Sequence, residues 1–542
     1  MYNALNDRIR NLLLSYDYSK STDPLQPWSS HITSLLTRQI PKTADITLTS
    51  GSESLHLHKF LLSARTPYFR AKLADAPETT QWKLSSAVPV EAFRLVAQYL
   101  YLGELPRELV DPGSSTSEEE VFKGIDRISK QLEVEKLWEA ALTLDDRRLA
   151  RQRYQDEIQR AQEQVERFFQ EHVVRHKMVV DTKKVNEIKW KVDNSIFADC
   201  LLRADDEEGE EEDEDEDEQI ATTIGANGIP IGPASQASDQ KEAERKHRKS
   251  TVFPVHKAML IRSPYFETMF SSEFLEAQDS EHLRIIKVDC TPDVLEIVLT
   301  FMYTEKPDCP LELALELLYT SDMLLMDRLK SKAAQAISTL GSATGNILVD
   351  RTHSEGHGEQ VEVEPINVYD VIHAAWDLRV QRLEEFAARY LAYRLEDYID
   401  EPEFAELIQE SASRLKLRQE TDTIELLDDI RYYLSERFRL RFEDAGLDEM
   451  LDEEGEIRSE AVEGLIAANA EGREVIKKAG TNGATADVVA TAAADMSSHT
   501  EGGGVKTLEG EVVDDEFDLD AMNYQILLRK IDTMLERLKL DA

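Results

Sequence analysis

The stretch "HKAMLIRSPYFETMF", His256 to Phe270, repeats a phrase already met at His58 to Phe69, "HKFLLSARTPYF", one residue shorter before the Arg-(Thr/Ser)-Pro-Tyr-Phe turn. The likeness extends outward in both directions. Upstream of the first phrase, Asp45 opens "DITL", an alternating run suited to a strand, followed by the turn "TSGSES" and the return strand "LHLHK". Upstream of the second, "ADCLLR" from Ala198 puts Asp199 in the place of Asp45, and "TVFPVHK", Thr251 to Lys257, returns. Downstream, "VPVEAFRLVAQYLYLGELP" aligns with "CTPDVLEIVLTFMYTEKPD". Phe93, Val96, Ala97 and Leu100 fall on one helical face, as do Leu295, Val298, Leu299 and Met302. Pro67 and Pro264 stand where one helix ends and the next begins, and Thr291 before Pro292 reads as a helix cap. Each copy closes with further helix, so the spacing predicts two small α+β domains of short sheet and helices.

A chain of 542 residues is too long for one hydrophobic core, and a fold used twice suits that length. Acidic residues outnumber basic ones by 106 to 63, and the formal charge of −43 repels phosphate backbones and anionic lipid. Nucleic acid and membrane are therefore not expected partners. The start, "MYNALNDRIR", lacks the apolar core of a secretory signal, and no apolar run is long enough for a bilayer span, so a soluble intracellular protein is expected. Cys200, Cys290 and Cys309 are scattered and read as reduced thiols.

Strand, turn, strand, His-Lys, Leu, Pro-Tyr-Phe and a Tyr closing an apolar helix together resemble the BTB/POZ domain, matched twice. The resemblance implies a short sheet capped by helices, usually dimeric, serving protein interaction without catalysis. The tract "RQETDTIELLDDIRYYL", Arg418 to Leu434, and the terminal "ILLRKIDTMLERLKLDA" resemble ankyrin repeat and BTB/POZ domain-containing proteins, which carry two BTB domains in tandem. No ankyrin-like T-P-L-H-x-A pattern accompanies them. Either such an array has been lost or the chain begins downstream of it.

The expected division is a helical segment at 1–40, a first BTB/POZ domain at 41–144, a helical linker at 145–192, and a second domain at 193–340 with an acidic disordered insertion at 204–250. A linker at 341–364, a helical region resembling the BACK-like extension of BTB proteins at 365–445, a disordered stretch at 446–520 and a terminal helix at 521–542 complete it. The linker helix reads either as a spacer or as a packed strut. The acidic run "DDEEGEEEDEDEDE" reads as an inert solvated loop or as a dock for a basic partner.

Many BTB proteins recruit cullin-3 through a hydrophobic-x-Glu element just beyond the Met-Phe helix. Phe274, Leu275 and Glu276 fit that spacing after Met269 and Phe270, whereas the first copy offers Pro77 and Thr79. An aromatic packed under the loop beside a solvated glutamate is the competing reading. The resemblance also places Asp45, Lys59, Asp199 and Lys257 in a charged pocket beside the dimer seam. Hairpin-end and helix-start charges with no shared role are the alternative. His58 and His256 recur without a second metal-ligand type and read as structural.

Two copies in one chain suggest an intramolecular BTB–BTB pairing in place of a homodimer. No phosphate-binding G-x-x-x-x-G-K-[ST], zincin H-E-x-x-H or nucleophile elbow G-x-S-x-G is present, and neither a cofactor nor an enzymatic activity is expected. The resemblance implies a substrate-recruiting adaptor of a cullin-3 RING ubiquitin ligase, in the cytoplasm or also the nucleus. The other reading is a non-degradative scaffold or chaperone-like protein. Translation elongation factor 1A is the candidate client under both.

Overall fold

The computed structural model describes residues 25–38, 41–50, 53–83, 88–103, 105–106, 109–110, 116–143, 146–206, 249–272, 280–306, 308–340, 366–418, 425–444 and 516–540. The chain divides into two compact units, Met1–Cys309 with Glu316–Ala333, and Pro310–Leu315 with Ala334–Ala542.

In the first unit, helix α1 (Gln26–Leu35) precedes the hairpin β1 (Ile46–Ser50) and β2 (Glu53–Leu57), helices α2 (Lys59–Arg65) and α3 (Pro67–Asp75), strand β3 (Gln81–Lys83), and helices α4 (Val90–Leu100), α5 (Glu118–Leu132) and α6 (Glu135–Leu142). The sheet order is β2-β1-β3, with Ile46 opposite Leu57 and, in parallel, Thr47 opposite Gln81. Proline at the first position of α3 costs no helical hydrogen bond, and Thr66 caps it by accepting from the Phe69 amide.

Helix α7 (Arg147–His172) leads to the second copy: strands β4 (Met178–Asp181), β5 (Cys200–Asp205) and β6 (Lys249–Val255), helices α8 (Lys257–Leu260) and α9 (Pro264–Ser271), strand β7 (Ile285–Lys287) and helix α10 (Pro292–Thr304). Helices α11 (Leu311–Met323) and α12 (Asp327–Ser338) follow. The order β4-β6-β5-β7 reproduces the first sheet and adds one strand. Pro254 is accommodated in β6 because β4 ends opposite Val252, leaving an open side where a missing N–H is tolerated.

The extra strand corrects the expected helical linker at 145–192. The helix stops at His172, and the β-branched "MVVD" joins the second sheet with Met178 opposite Val252. Val185, just beyond it, is fully buried with Ile196, Leu201 and Val252, so this domain's core starts well before residue 193. The insertion is also narrower than expected at 204–250. Asp205 pairs with Ser250 in the ladder, and the Ser250 hydroxyl donates to its carboxylate at 2.7 Å. Residues 207–248, with most of the acidic run, lie outside the described residues. Thr291 holds the cap position of α10 without a side-chain capping bond, because its hydroxyl donates instead to Glu316 at 2.8 Å.

The second unit contains helices α13 (Val368–Leu378), α14 (Gln381–Tyr393), α15 (Leu395–Tyr398), α16 (Pro402–Arg418), α17 (Glu425–Asp444) and α18 (Glu516–Leu538). Its core includes Ile372, Leu383, Leu391, Ile430, Leu434, Phe438 and Ile531, all buried. Arg437 reaches Glu396 with two bonds of 2.9 and 3.0 Å and also donates to the Ala392 carbonyl, so that its buried cation is fully engaged. The terminal helix starts at Glu516, five residues inside the stretch expected to be disordered at 446–520, and Asp520 is already buried. The 341–364 linker and residues 446–515 lie outside the described residues.

Candidate protein-interaction site

The two copies meet within the first unit, and the helices that precede them cross over. Helix α1 precedes the first copy, yet its fully buried Trp28 donates from Nε1 to the Tyr303 carbonyl at 2.8 Å. His31 in the same helix bonds the Ala258 carbonyl at 2.8 Å, and Arg38 pairs with Glu267. Thr33 ties α1 to its own copy through the Tyr101 and Leu102 carbonyls at 3.0 and 3.1 Å.

Helix α7 does the converse. Asp146 caps its start, accepting from the Arg148 and Leu149 amides, and Ile158, Ala161, Val165, Phe168 and Phe169 form its buried face. It precedes the second copy but anchors in the first: buried Glu157 accepts from Arg65 and from the Tyr99 hydroxyl, the latter at 2.6 Å, and Tyr154 donates to the Leu102 carbonyl at 2.9 Å. Its far end serves the second copy, where Gln162 donates to the Thr304 carbonyl at 2.9 Å and Phe169 stacks on Tyr303 at 4.7 Å. Of the two roles open to this helix, the structure shows the packed strut.

Between these helices lies a polar cluster repeated once per copy. The Tyr101 hydroxyl accepts the His58 amide at 2.8 Å and lies 2.9 Å from Nδ1, so its own proton goes to that nitrogen. Tyr303 treats His256 in the same way at 3.0 and 2.7 Å, and Nε2 of His256 then donates to the Ile196 carbonyl at 3.0 Å. This fixes a neutral imidazole with its proton on Nε2. Burial lowers His58 to about 3 and His256 to about 4, since an ionised ring there would lose its hydration. The aromatic ring of Phe60 and the imidazole of His256 face each other across the seam.

The four charged residues expected beside the seam come together in pairs, through the backbone. Asp45 accepts the Lys59 amide at 2.8 Å, and Asp199 the Lys257 amide at 2.6 Å, so each aspartate holds the first residue of the helix after the hairpin. The side chains diverge: the Lys59 ammonium donates to the Pro77 carbonyl at 2.7 Å, and that of Lys257 lies over the Phe270 ring at 5.1 Å. Burial pushes Asp45 up to about 7, with the charge of Asp199 adding to it, and burial raises Asp199 to about 6.

Phe274, Leu275 and Glu276 lie outside the described residues. The helix that leads to them, α9, is placed, with Phe266 and Phe270 buried and stacked at 6.1 Å. In the first copy Pro77 is engaged by Lys59, and the Thr79 amide closes a turn onto the Ala76 carbonyl.

Sequence reasoning missed Trp28, Arg65 and Glu157. Arg65 and Arg262 were visible as the repeated arginine before Pro-Tyr-Phe, and both reach the carbonyl end of the following apolar helix, at Leu100 and Phe301. Their acidic partners differ, because Glu157 comes from the strut whereas Glu305 belongs to the second copy itself, and no repeat could disclose the former.

Comparison with known proteins recovers the two copies by sequence. A family model described as the BTB/POZ domain matches residues 35–140 and 246–340. BTB/POZ domain-containing protein 3 of Schizosaccharomyces pombe is 32% identical over 456 residues, covering 83% of this chain and 72% of that protein. Ankyrin repeat-containing protein YIL001W of Saccharomyces cerevisiae is 29% identical over 469 residues, covering 83% of this chain and 79% of that one. BTB/POZ domain-containing protein 9 of Drosophila melanogaster is 31% identical over 103 residues, 19% of this chain and 14% of that protein.

Proposed function

Because the chain belongs to the BTB/POZ domain family, whose domains bind other proteins, we propose that it serves as the substrate-recruiting adaptor of a cullin-3 RING ubiquitin ligase in the cytoplasm. The observation that carries the reading is the crossed packing of the two copies. With α1 and α7 each bridging the two copies, the usual homodimer partner is supplied in the same chain, and the two ends of the couple differ. Only the second continues from its Met-Phe helix into a hydrophobic-x-Glu element, Phe274-Leu275-Glu276. An exposed aromatic ring anchors in a pocket on a partner helix, and the carboxylate fixes its orientation. The first copy turns at Pro77 with its carbonyl occupied by Lys59, and offers no such anchor. One adaptor chain thus engages one cullin, where a homodimer engages two.

The test is co-purification of cullin-3 with the chain and with its Phe274→Ala/Glu276→Ala variant, alongside circular dichroism to verify the fold. Loss of cullin with retention of translation elongation factor 1A or another client supports the adaptor. Undiminished cullin binding overturns the assignment of the site, and absence of cullin from both samples favours a non-degradative scaffold.

A further inference from the structure

Helix α18 presents two different faces. Tyr524, Leu527, Ile531, Met534 and Leu535 are buried, and Phe438 of α17 meets Tyr524 with ring centroids 5.1 Å apart. Ile526, Arg529, Lys530, Thr533 and Arg537 recur at three- and four-residue steps on another stripe. That stripe lines a cavity of about 320 Å³ together with Ile399, Asp400 and Met534.

The lining is chemically mixed. Ile399 and Met534 are buried and give the cavity an apolar base, while Ile526 is 47% exposed. Lys530 pairs with Asp400 at 2.5 Å, and among the described residues neither Arg529 nor Arg537 has an ion-pair partner. Three cations therefore face one carboxylate on a chain whose formal charge is −43. Helix-dipole compensation accounts for Arg537, in the last turn of α18. It does not account for Arg529 and Lys530 two turns earlier, beside an open isoleucine.

We propose that this cavity is a docking site for an acidic peptide segment of a partner protein, whose carboxylates pair with Arg529 and Arg537 while one large apolar side chain enters against Ile526, Ile399 and Met534. Charge complementarity selects this occupant. Nucleic acid suits the site poorly, because a phosphate backbone would leave the apolar base without a contact, whereas a peptide carries an apolar side chain beside its carboxylates. Bidentate pairing of arginine with carboxylate sets the register, and the buried apolar contact supplies the larger share of affinity. The site does not rest on the ligase reading, and no cullin enters its test.

The experiment uses the full chain and a fluorescein-labelled synthetic peptide of aspartates and glutamates flanking one leucine, followed by fluorescence anisotropy. Saturable binding is expected that weakens with salt and falls about tenfold, equivalent to about 1.4 kcal/mol, in the Arg529→Gln/Arg537→Gln variant. A similar loss is expected when the peptide leucine is replaced by alanine, or in Ile526→Ala, which leaves the charges intact. Circular dichroism of each variant verifies the helix, and the peptide change requires no variant at all. No saturable binding to the wild-type chain overturns the proposal, as does equal binding by the leucine and alanine peptides or competition by inorganic phosphate as effective as by unlabelled peptide.

Discussion

The ring of Phe60 lies 4.6 Å from the imidazole of His256, tilted by 30°, so that the helix start of one BTB copy closes on that of the other. Phe168 of the strut completes the junction, 6.3 Å from Phe60 and 5.7 Å from His256. Replacing Phe60 with alanine removes a buried ring at a point where three elements meet, at a cost of about 3–5 kcal/mol. The urea midpoint should fall, and amide exchange should quicken in Lys257–Leu260 as well as in Lys59–Arg65. Exchange that changes in the first copy alone would show the two halves to be uncoupled.

Glu157 holds the strut to the first copy through Arg65 and Tyr99, with Arg160 of the strut itself pairing beside it. Its removal leaves the Arg65 guanidinium buried without its carboxylate, and Glu157→Ala should destabilise by about 3–5 kcal/mol. Changing Arg65 and Glu157 together to methionine removes both charges and should cost less than either single change. Chemical denaturation of the two single variants and the double variant closes this cycle. Additive losses would mean that the pair is not coupled.

The repeat made the domain fold legible, because strand alternation, the proline at each helix start and the apolar faces of α4 and α10 are local patterns that burial then enforces. His58 and His256, read as structural, form matched histidine–tyrosine clusters for the same reason. What stayed hidden is non-local. Trp28 bonds a carbonyl 275 residues away, and Glu157 meets Arg65 across 92, contacts with no spacing rule. Strand β4 was hidden for a different reason, since "MVVD" directly follows a helix-rich tract and gains its identity only by pairing with β6.

Acidity should act on the seam in two opposed ways. His31, His58 and His256 are held at about 3, 3 and 4 by burial, against an unfolded value of 6.5, so their contribution is intact above pH 6.5 and is lost as pH falls towards 4. Asp45 and Asp199 are raised to about 7 and 6 from 3.8, so their penalty is absent below pH 3.8, grows as pH rises above it and is complete once pH has passed 7 and 6 respectively. Three histidines outweigh two aspartates below pH 6, and stability should decline there with a slope near one proton, flattening around neutrality. Asp45→Asn keeps an oxygen for the Lys59 amide and deletes the penalty. Its advantage over the wild type should therefore grow by about 2–3 kcal/mol between pH 5 and pH 8, most of it below pH 7, read from urea midpoints at each pH. A constant difference across that range would show that Asp45 titrates like a free carboxyl.

Trp28 offers the most direct test of the crossed arrangement, because it immediately precedes the first copy in sequence and bonds the second. Its indole is fully buried and its N–H satisfies the Tyr303 carbonyl at the end of α10. Trp28→Phe retains most of the apolar volume and removes the donor, which should cost about 1–3 kcal/mol by leaving a buried carbonyl without that bond. Trp28→Ala adds a cavity and should cost about 3–5 kcal/mol. Hydrogen exchange followed by mass spectrometry distinguishes crossing from local packing. With the helices bridging both copies, protection falls in Pro292–Thr304 of the second copy, some 260 residues downstream, at least as much as in Val90–Leu100 of the first. Faster exchange limited to the first copy would mean that α1 packs on its own domain, and the intramolecular pairing would lose its main support.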